Sequence, residues 1–242
     1  FCLDVFPLAA IILLYVRTEH LALNSRKEAA QVSTQLALSL IILLPALCAA
    51  GERAAAVAQV RQDAAITFVG DYLVRCPQEL VQKALDHPVL MGALWANYRY
   101  APKYEVSGLA EPGALHVVDP TGIVGDLWPV RRKGHSRVYL AAGKIDHWAV
   151  SALNGGRAVF VVETVAQDSL TRVRVEVFLE PDSDLASALL WMLQPLAVKH
   201  IDNRITLNFK DTARILETIH RRPERVRARL KGELLQQFEH VF

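Results

Sequence analysis

"LTRVRVEVFLEPDSDLASALLWMLQPLAVKHIDNRITLNF" (170–209) contains a change of period. In its first part Val173, Val175, Val177 and Leu179 alternate with Arg172, Arg174 and Glu176. A period of two puts the valines on one face and the charges on the other, so the segment predicts a strand with one dry and one wet face. "PDSD" (181–184) then offers helix-start chemistry, with Asp182 or Ser183 as N-cap. Beyond it the apolar spacing becomes three and four, through Ile201, Ile205, Phe209, Thr212, Leu216 and Ile219. That spacing predicts a long C-terminal helix from about Asp184 to Ile219, stopped by Pro223. Its opening is apolar enough to suggest a membrane span, but Pro195, Lys199 and His200 interrupt it too soon. Pro195 is expected to kink the helix instead, because proline removes a backbone donor and crowds the preceding turn.

Upstream of this strand, residues 104–180 read as strands alone. "KYEVSGL", "ALHVVD" and "IVGDLWPV" are split by "EPG" and "PTG" turns, and "SRVYLAAGKI" follows the basic "RRKGH" loop. "DHWAVSAL" and "RAVFVVETV" are expected to form a hairpin through Asn154-Gly155-Gly156, residues that tolerate positive φ. Hairpin-length connections of this kind make an antiparallel meander. Further back, "AITFVGDYLVRC" alternates, with Ile66, Phe68, Tyr72 and Val74 on one face. It leads through Pro77 into two short helices, the first ended by Pro88.

One strand, two short helices, about six antiparallel strands and a long helix form a specific order of parts. The order resembles the helix-grip fold of the START/pollen-allergen (SRPBCC) superfamily. The resemblance is carried by "ITFVGDYLVRCPQELVQKALDHP", "HWAVSALNGGRAVFVVETV", "RVRVEVFLEP" and "NRITLNFKDTARILETI", and covers roughly 65–222. It implies an α+β domain in which a curved antiparallel sheet (β-α-α-β6-α) wraps the long helix around an apolar cavity. Members of the superfamily bind lipids, sterols or other hydrophobic molecules, and some are polyketide cyclases or aromatases. Candidate lining residues on the dry faces are Phe68, Tyr72, Val138, Leu140, Val173, Val175 and Val177, with Trp191, Met192 and Leu196 from the helix. A pocket of this kind needs an apolar lining and a few polar groups to orient the ligand.

Signals for chemistry are sparse. His116, His135, His147, Asp146 and Glu163 show no metal-ligand or triad spacing, and "DHW" (146–148) is the best acid/base candidate. There is no G-x-G-x-x-G, P-loop, H-E-x-x-H or G-x-S-x-G. The expectation is a binder of a hydrophobic, lipid-like molecule without metal or cofactor. The rivals are a cyclase/aromatase-like enzyme and an assembly module with a filled core. A net charge of +2 disfavours a dedicated nucleic-acid partner. Of three cysteines only Cys76 falls in the domain, where a buried core role is expected.

The 242 residues are 52% hydrophobic, and the excess sits in front. "FPLAAIILLYV" (6–16) and "LALSLIILLPALCAA" (36–50) are nearly free of charge, with Arg17, Arg26 and Lys27 between them. Residues 1–50 are therefore expected to be a membrane or signal region, as a hairpin, a signal anchor or a cleaved signal. A buried helical pair is the alternative reading. With the basic loop cytoplasmic, the domain would lie on the periplasmic or extracellular side. Residues 51–64 read as a helical linker. Residues 223–242 read as a basic amphipathic tail, in which Val226, Leu230, Leu234 and Phe238 recur at near-helical spacing among arginines. Such a tail either lies on an anionic membrane or packs weakly on the domain.

Overall fold

The alternating valines of 170–180 form the strand from which the sheet is built. A computed structural model describes residues 51–100, 104–119, 122–145, 155–183, 187 and 194–242. The elements are α1 (51–63), β1 (Ile66–Val74), α2 (Gln78–Asp86), α3 (Pro88–Asn97), β2 (Glu105–Gly108), β3 (Leu115–Val118) and β4 (Ile123–Lys133). They continue with β5 (Ser136–Ile145), β6 (Gly156–Gln167), β7 (Leu170–Pro181), α4 (Gln194–Arg221), α5 (Pro223–Arg227) and α6 (Gly232–Val241). The chain divides into two units, Phe1–Glu52 and Arg53–Phe242. The expected membrane or signal region, "DHW", Trp191 and Met192 lie outside the described residues.

The seven strands form one antiparallel sheet in the order β1-β7-β6-β5-β4-β3-β2. Strands β2 to β7 are a meander, and β1 closes it by pairing with β7, Phe68 opposite Val177 and Tyr72 opposite Val173. The α2–α3 pair carries the chain from one edge of the sheet to the other. This is the helix-grip arrangement: a curved antiparallel sheet with a long C-terminal helix.

A row of three glycines crosses the middle strands, Gly125 opposite Gly143 and Gly143 opposite Gly156. A Cβ at Gly125 would sit 2.7 Å from the Ala142 carbonyl oxygen, and one at Gly143 2.7 Å from that of Val124. Only glycine permits backbones that close.

Each face of the sheet has its own apolar cluster. The inner face joins Phe68, Val162, Val173, Val175 and Val177 to α2, α3 and α4 through Val81, Leu94, Ile215 and Leu216. The outer cluster holds Val138, Leu140, Val159 and Val161 beneath Val60 of α1. The 51–64 segment is thus a packed element of the domain rather than a linker: Val60 is fully buried, and Arg61 lies over the Phe178 ring at 4.8 Å.

Two further expectations change. β6 pairs with β5 on one side and β7 on the other, so its partner is Ser136–Ile145 rather than "DHWAVSAL". The C-terminal segment is part of the core rather than an appended tail, since Val226, Leu230 and Phe238 are buried in the inner cluster. Its Arg221, Arg222, Arg225, Arg227, Arg229 and Lys231 remain exposed. The turn before Pro195, where a kink is expected, lies outside the described residues. Among the described residues no helix is long and apolar enough to cross a membrane.

Candidate functional site

Burial changes along α4, and the change locates the site. Ile215, Leu216 and Ile219, in the C-terminal half, are essentially inaccessible. Val198, Ile201, Ile205 and Phe209, in the N-terminal half, pack toward the same cluster yet stay only half-buried. Tyr139 and Phe160 on the inner face of the sheet are half-buried as well. Packing between sheet and helix is therefore tighter around the C-terminal half of α4 than around its N-terminal half.

Several of the residues expected to line a cavity share the inner face of the sheet. Phe68, Val173, Val175 and Val177 are buried side by side on the inner face. Tyr72 stacks on Phe209 with ring centroids 4.6 Å apart and planes 2° from parallel. The Tyr72 hydroxyl is buried without a hydrogen-bond partner among the described residues, and burial raises its pKa against the opposing influence of nearby Thr206.

Val138 and Leu140 are a correction. They lie on the opposite face, beneath α1, and the inward residues of β5 are Arg137, Tyr139 and Ala141. Both faces of β5 are covered, and the inner one carries Arg137, ion-paired with Asp86 of α2 at 2.8 Å, so alternation alone left the inner face undetermined. Trp191 and Met192 fall outside the described residues, as does the side chain of Leu196.

The N-terminal half of α4 meets a polar group that the spacing of residues did not reveal. Asp119, at the end of β3, is almost fully buried and ion-paired with Arg204 of α4. Its backbone N–H donates to the Ile123 carbonyl at 2.7 Å, which fixes it at the turn into β4. The Arg204 guanidinium also lies over the Tyr104 ring, 5.4 Å from the centroid. Burial opposes the Arg204 charge, but Asp119 and Tyr104 more than offset it and hold the pKa above its usual value. Burial also raises the Tyr104 pKa, chiefly by desolvation and secondarily through Asp119, so the phenol stays neutral. Asn208, one turn after Arg204, is buried beside Tyr104. On the same helix Thr212 donates to the Asn208 carbonyl at 2.7 Å and accepts from the Trp95 indole N–H at 3.1 Å. In the sequence the only trace of this group was two polar positions, 204 and 208, beside the apolar stripe.

The acid/base candidates do not gather at this place. His116 pairs with Asp126 across β3 and β4, Nδ1 to Oδ1 at 2.7 Å, on the outer face of the sheet. That pair borders a shallow outer concavity of about 440 Å³ with Trp128, Lys144 and Arg157. His135 is exposed in the β4–β5 turn, and Glu163 is exposed on β6. Asp146 and His147 lie outside the described residues. Among the described residues no group of three His, Cys, Asp or Glu side chains has metal-site geometry.

No family model matches the sequence, and no curated protein matches it. Solved structures do share features of the fold. A conserved protein from Geobacillus kaustophilus superposes with a TM-score of 0.47 at 14% identity, over 64% of this chain and 97% of that one. Norcoclaurine synthase from Thalictrum flavum gives 0.43 at 11% identity, over 62% and 85%. Ara h 8.0201 gives 0.34 at 16% identity, over 49% and 79%. Likeness at this level carries no argument about activity. The helix-grip assignment rests on the strand order, the pairing and the position of α4.

Proposed function

We propose that this chain is a member of the helix-grip superfamily that binds a hydrophobic, lipid-like small molecule between the inner face of its sheet and the N-terminal half of α4. The gradient of burial along α4 carries the reading. A core filled by its own side chains would bury Ile201, Ile205 and Phe160 as completely as Ile215, and water would not wet them without a ligand to replace it. Phe68, Tyr72, Val173, Val175 and Val177 supply the floor and wall. Trp191, Met192 and Leu196 are assigned to the mouth. The polar group at Asp119 and Arg204 is paired and net neutral, which suits orientation of a ligand better than proton transfer to it. We assign the domain to a membrane-tethered or exported protein on the strength of the two apolar runs at 6–16 and 36–50.

Native mass spectrometry of the purified chain, with solvent extraction of what it carries, tests this. The expected result is a co-purified apolar molecule, or uptake of one from a panel of fatty acids, fatty alcohols, sterols and quinones. A chain that carries nothing and takes up no member of the panel would overturn the reading in favour of an assembly module.

A further inference from the structure

We propose that the surface where α4 ends and α5 begins docks on an anionic lipid bilayer. It goes beyond the ligand proposed above, and its choice of partner draws on the membrane assignment made there.

Residues 219–231 hold six Arg or Lys and one Glu, whereas the whole chain is only +2, so the rest of the chain is net negative. Local backbone structure keeps these cations together. The Arg222 N–H donates to the Thr218 carbonyl at 2.8 Å, and past Pro223 the Arg225 N–H donates back to the Arg222 carbonyl at 3.0 Å. Val226 and Leu230 are buried, which leaves Arg221, Arg222, Arg225, Arg227, Arg229 and Lys231 outside. Little within the fold engages those charges. Arg229 lies over the Tyr98 ring at 4.9 Å, and Arg227 meets Glu239 at 3.8 Å. Among the described residues Arg221, Arg222, Arg225 and Lys231 form no ion pair. The C-terminal dipole of α4 favours a cation in its last turn, which accounts for Arg221 but not for the cations of α5 and beyond. Crowded like charges oppose the compact state, and an external anionic surface relieves that repulsion.

A neighbouring feature selects the kind of anion. Between α2, α4 and α6 lies a concavity of about 320 Å³, lined by the apolar Leu80, Ile219, Phe238 and Phe242. Lys83, His220 and Arg227 are its basic lining residues, and Glu79 is the one acid among them. Basic side chains at headgroup level beside an apolar depression suit a lipid surface, where charge and hydrocarbon lie side by side. Nucleic acid needs free aromatic rings on which its bases stack. Here Phe238 is buried and Arg229 already covers Tyr98.

Arginine footprinting with phenylglyoxal, read by mass spectrometry, tests this on the full chain added to preformed phosphatidylcholine vesicles with or without phosphatidylglycerol. Arg221, Arg222 and Arg225 are expected to react at least about fivefold more slowly with the anionic vesicles, the effect of one basic residue at such a surface. High salt should abolish the protection. In the double variant Arg221→Gln, Arg222→Gln, at exposed sites that leave the fold intact, protection of Arg225 should fall toward the phosphatidylcholine level. No protection with anionic vesicles, or equal protection without phosphatidylglycerol, overturns the docking. Equal slowing of every exposed arginine overturns it in favour of crowding at the vesicle, and stronger protection by polyuridylate at equal charge overturns it in favour of nucleic acid. A chain that does not associate with phosphatidylcholine vesicles loses the membrane tether, while protection that requires phosphatidylglycerol still upholds the docking. Whether an apolar ligand is bound is read separately, by native mass spectrometry.

Discussion

Cys76 shows how far a single residue can be followed from sequence to a measurable property. It sits fully buried where β1 passes into α2, and its carbonyl accepts a hydrogen bond from the buried Thr171 hydroxyl at 2.8 Å. Burial, with a smaller contribution from Glu217, pushes the thiol pKa up from 9.0 to about 11. Above pH 9 the unfolded chain loses this proton while the folded chain keeps it, so ionisation favours unfolding. The stabilisation is whole below pH 9 and is lost between pH 9 and about 11. Urea unfolding of wild type and Cys76→Ala at pH 8, 9, 10 and 11 should show the wild type losing stability faster over the last two steps. Parallel curves would refute the assignment. The burial of Cys76 was readable from the sequence, because a lone cysteine among strand residues has few other uses. The face of Val138 and Leu140 was not, because it depends on α1 covering the outside of the sheet.

At the scale of elements, periodicity identified the strands and helices, and packing decided which of them belong to the domain. β1, α2, α3 and β7 lie close to where alternation and proline placement put them. The ends of the chain were harder to read. Residues 51–63 and 223–242 are rich in charge, yet each buries a narrow apolar stripe, through Val60 in one and through Val226, Leu230 and Phe238 in the other. A stripe that narrow looks the same in sequence whether it meets a sheet, a membrane or water. Phe238 distinguishes these fates. It is 1% exposed in the inner cluster, and its truncation leaves a cavity against α2 and α4. Phe238→Ala should destabilise the domain by about 3–5 kcal/mol in chemical denaturation. Leu73→Ala, at an exposed site on the outer face of β1, should cost less than about 0.5 kcal/mol. A loss at Phe238 no larger than at Leu73 would restore the picture of a loose tail. The glycine row belongs to this scale too: each glycine is visible in the sequence, but their alignment follows only from the register of three strands.

For the whole molecule, the order of parts made the fold legible, while the site depended on contacts between distant segments. Asp119 and Arg204 are 85 residues apart and meet only because α4 crosses the end of β3. The arrangement makes the domain asymmetric in rigidity. At one end α2, α5 and α6 close over Ile215, Leu216 and Ile219; at the other, Val198, Ile201, Ile205 and Phe209 are only half-buried against the inner cluster. Local stability follows packing, so amide hydrogen exchange should be slowest in β1, β6, β7 and the 212–221 part of α4. It should be markedly faster in 198–209. A ligand seated against the half-buried stretch supplies further apolar contacts there, and binding to the native state alone raises the free energy of opening. Saturating 1-tetradecanol is therefore expected to slow exchange in 198–209 by tenfold or more, with little change in 212–221 beyond any global stabilisation. Uniform protection along α4 without ligand would mean that the helix is packed equally throughout and that the interior has no room. Slowing confined to 212–221 would place the ligand beside α5 and α6, in the concavity of about 320 Å³ lined by Leu80, Ile219, Phe238 and Phe242, instead of in the grip.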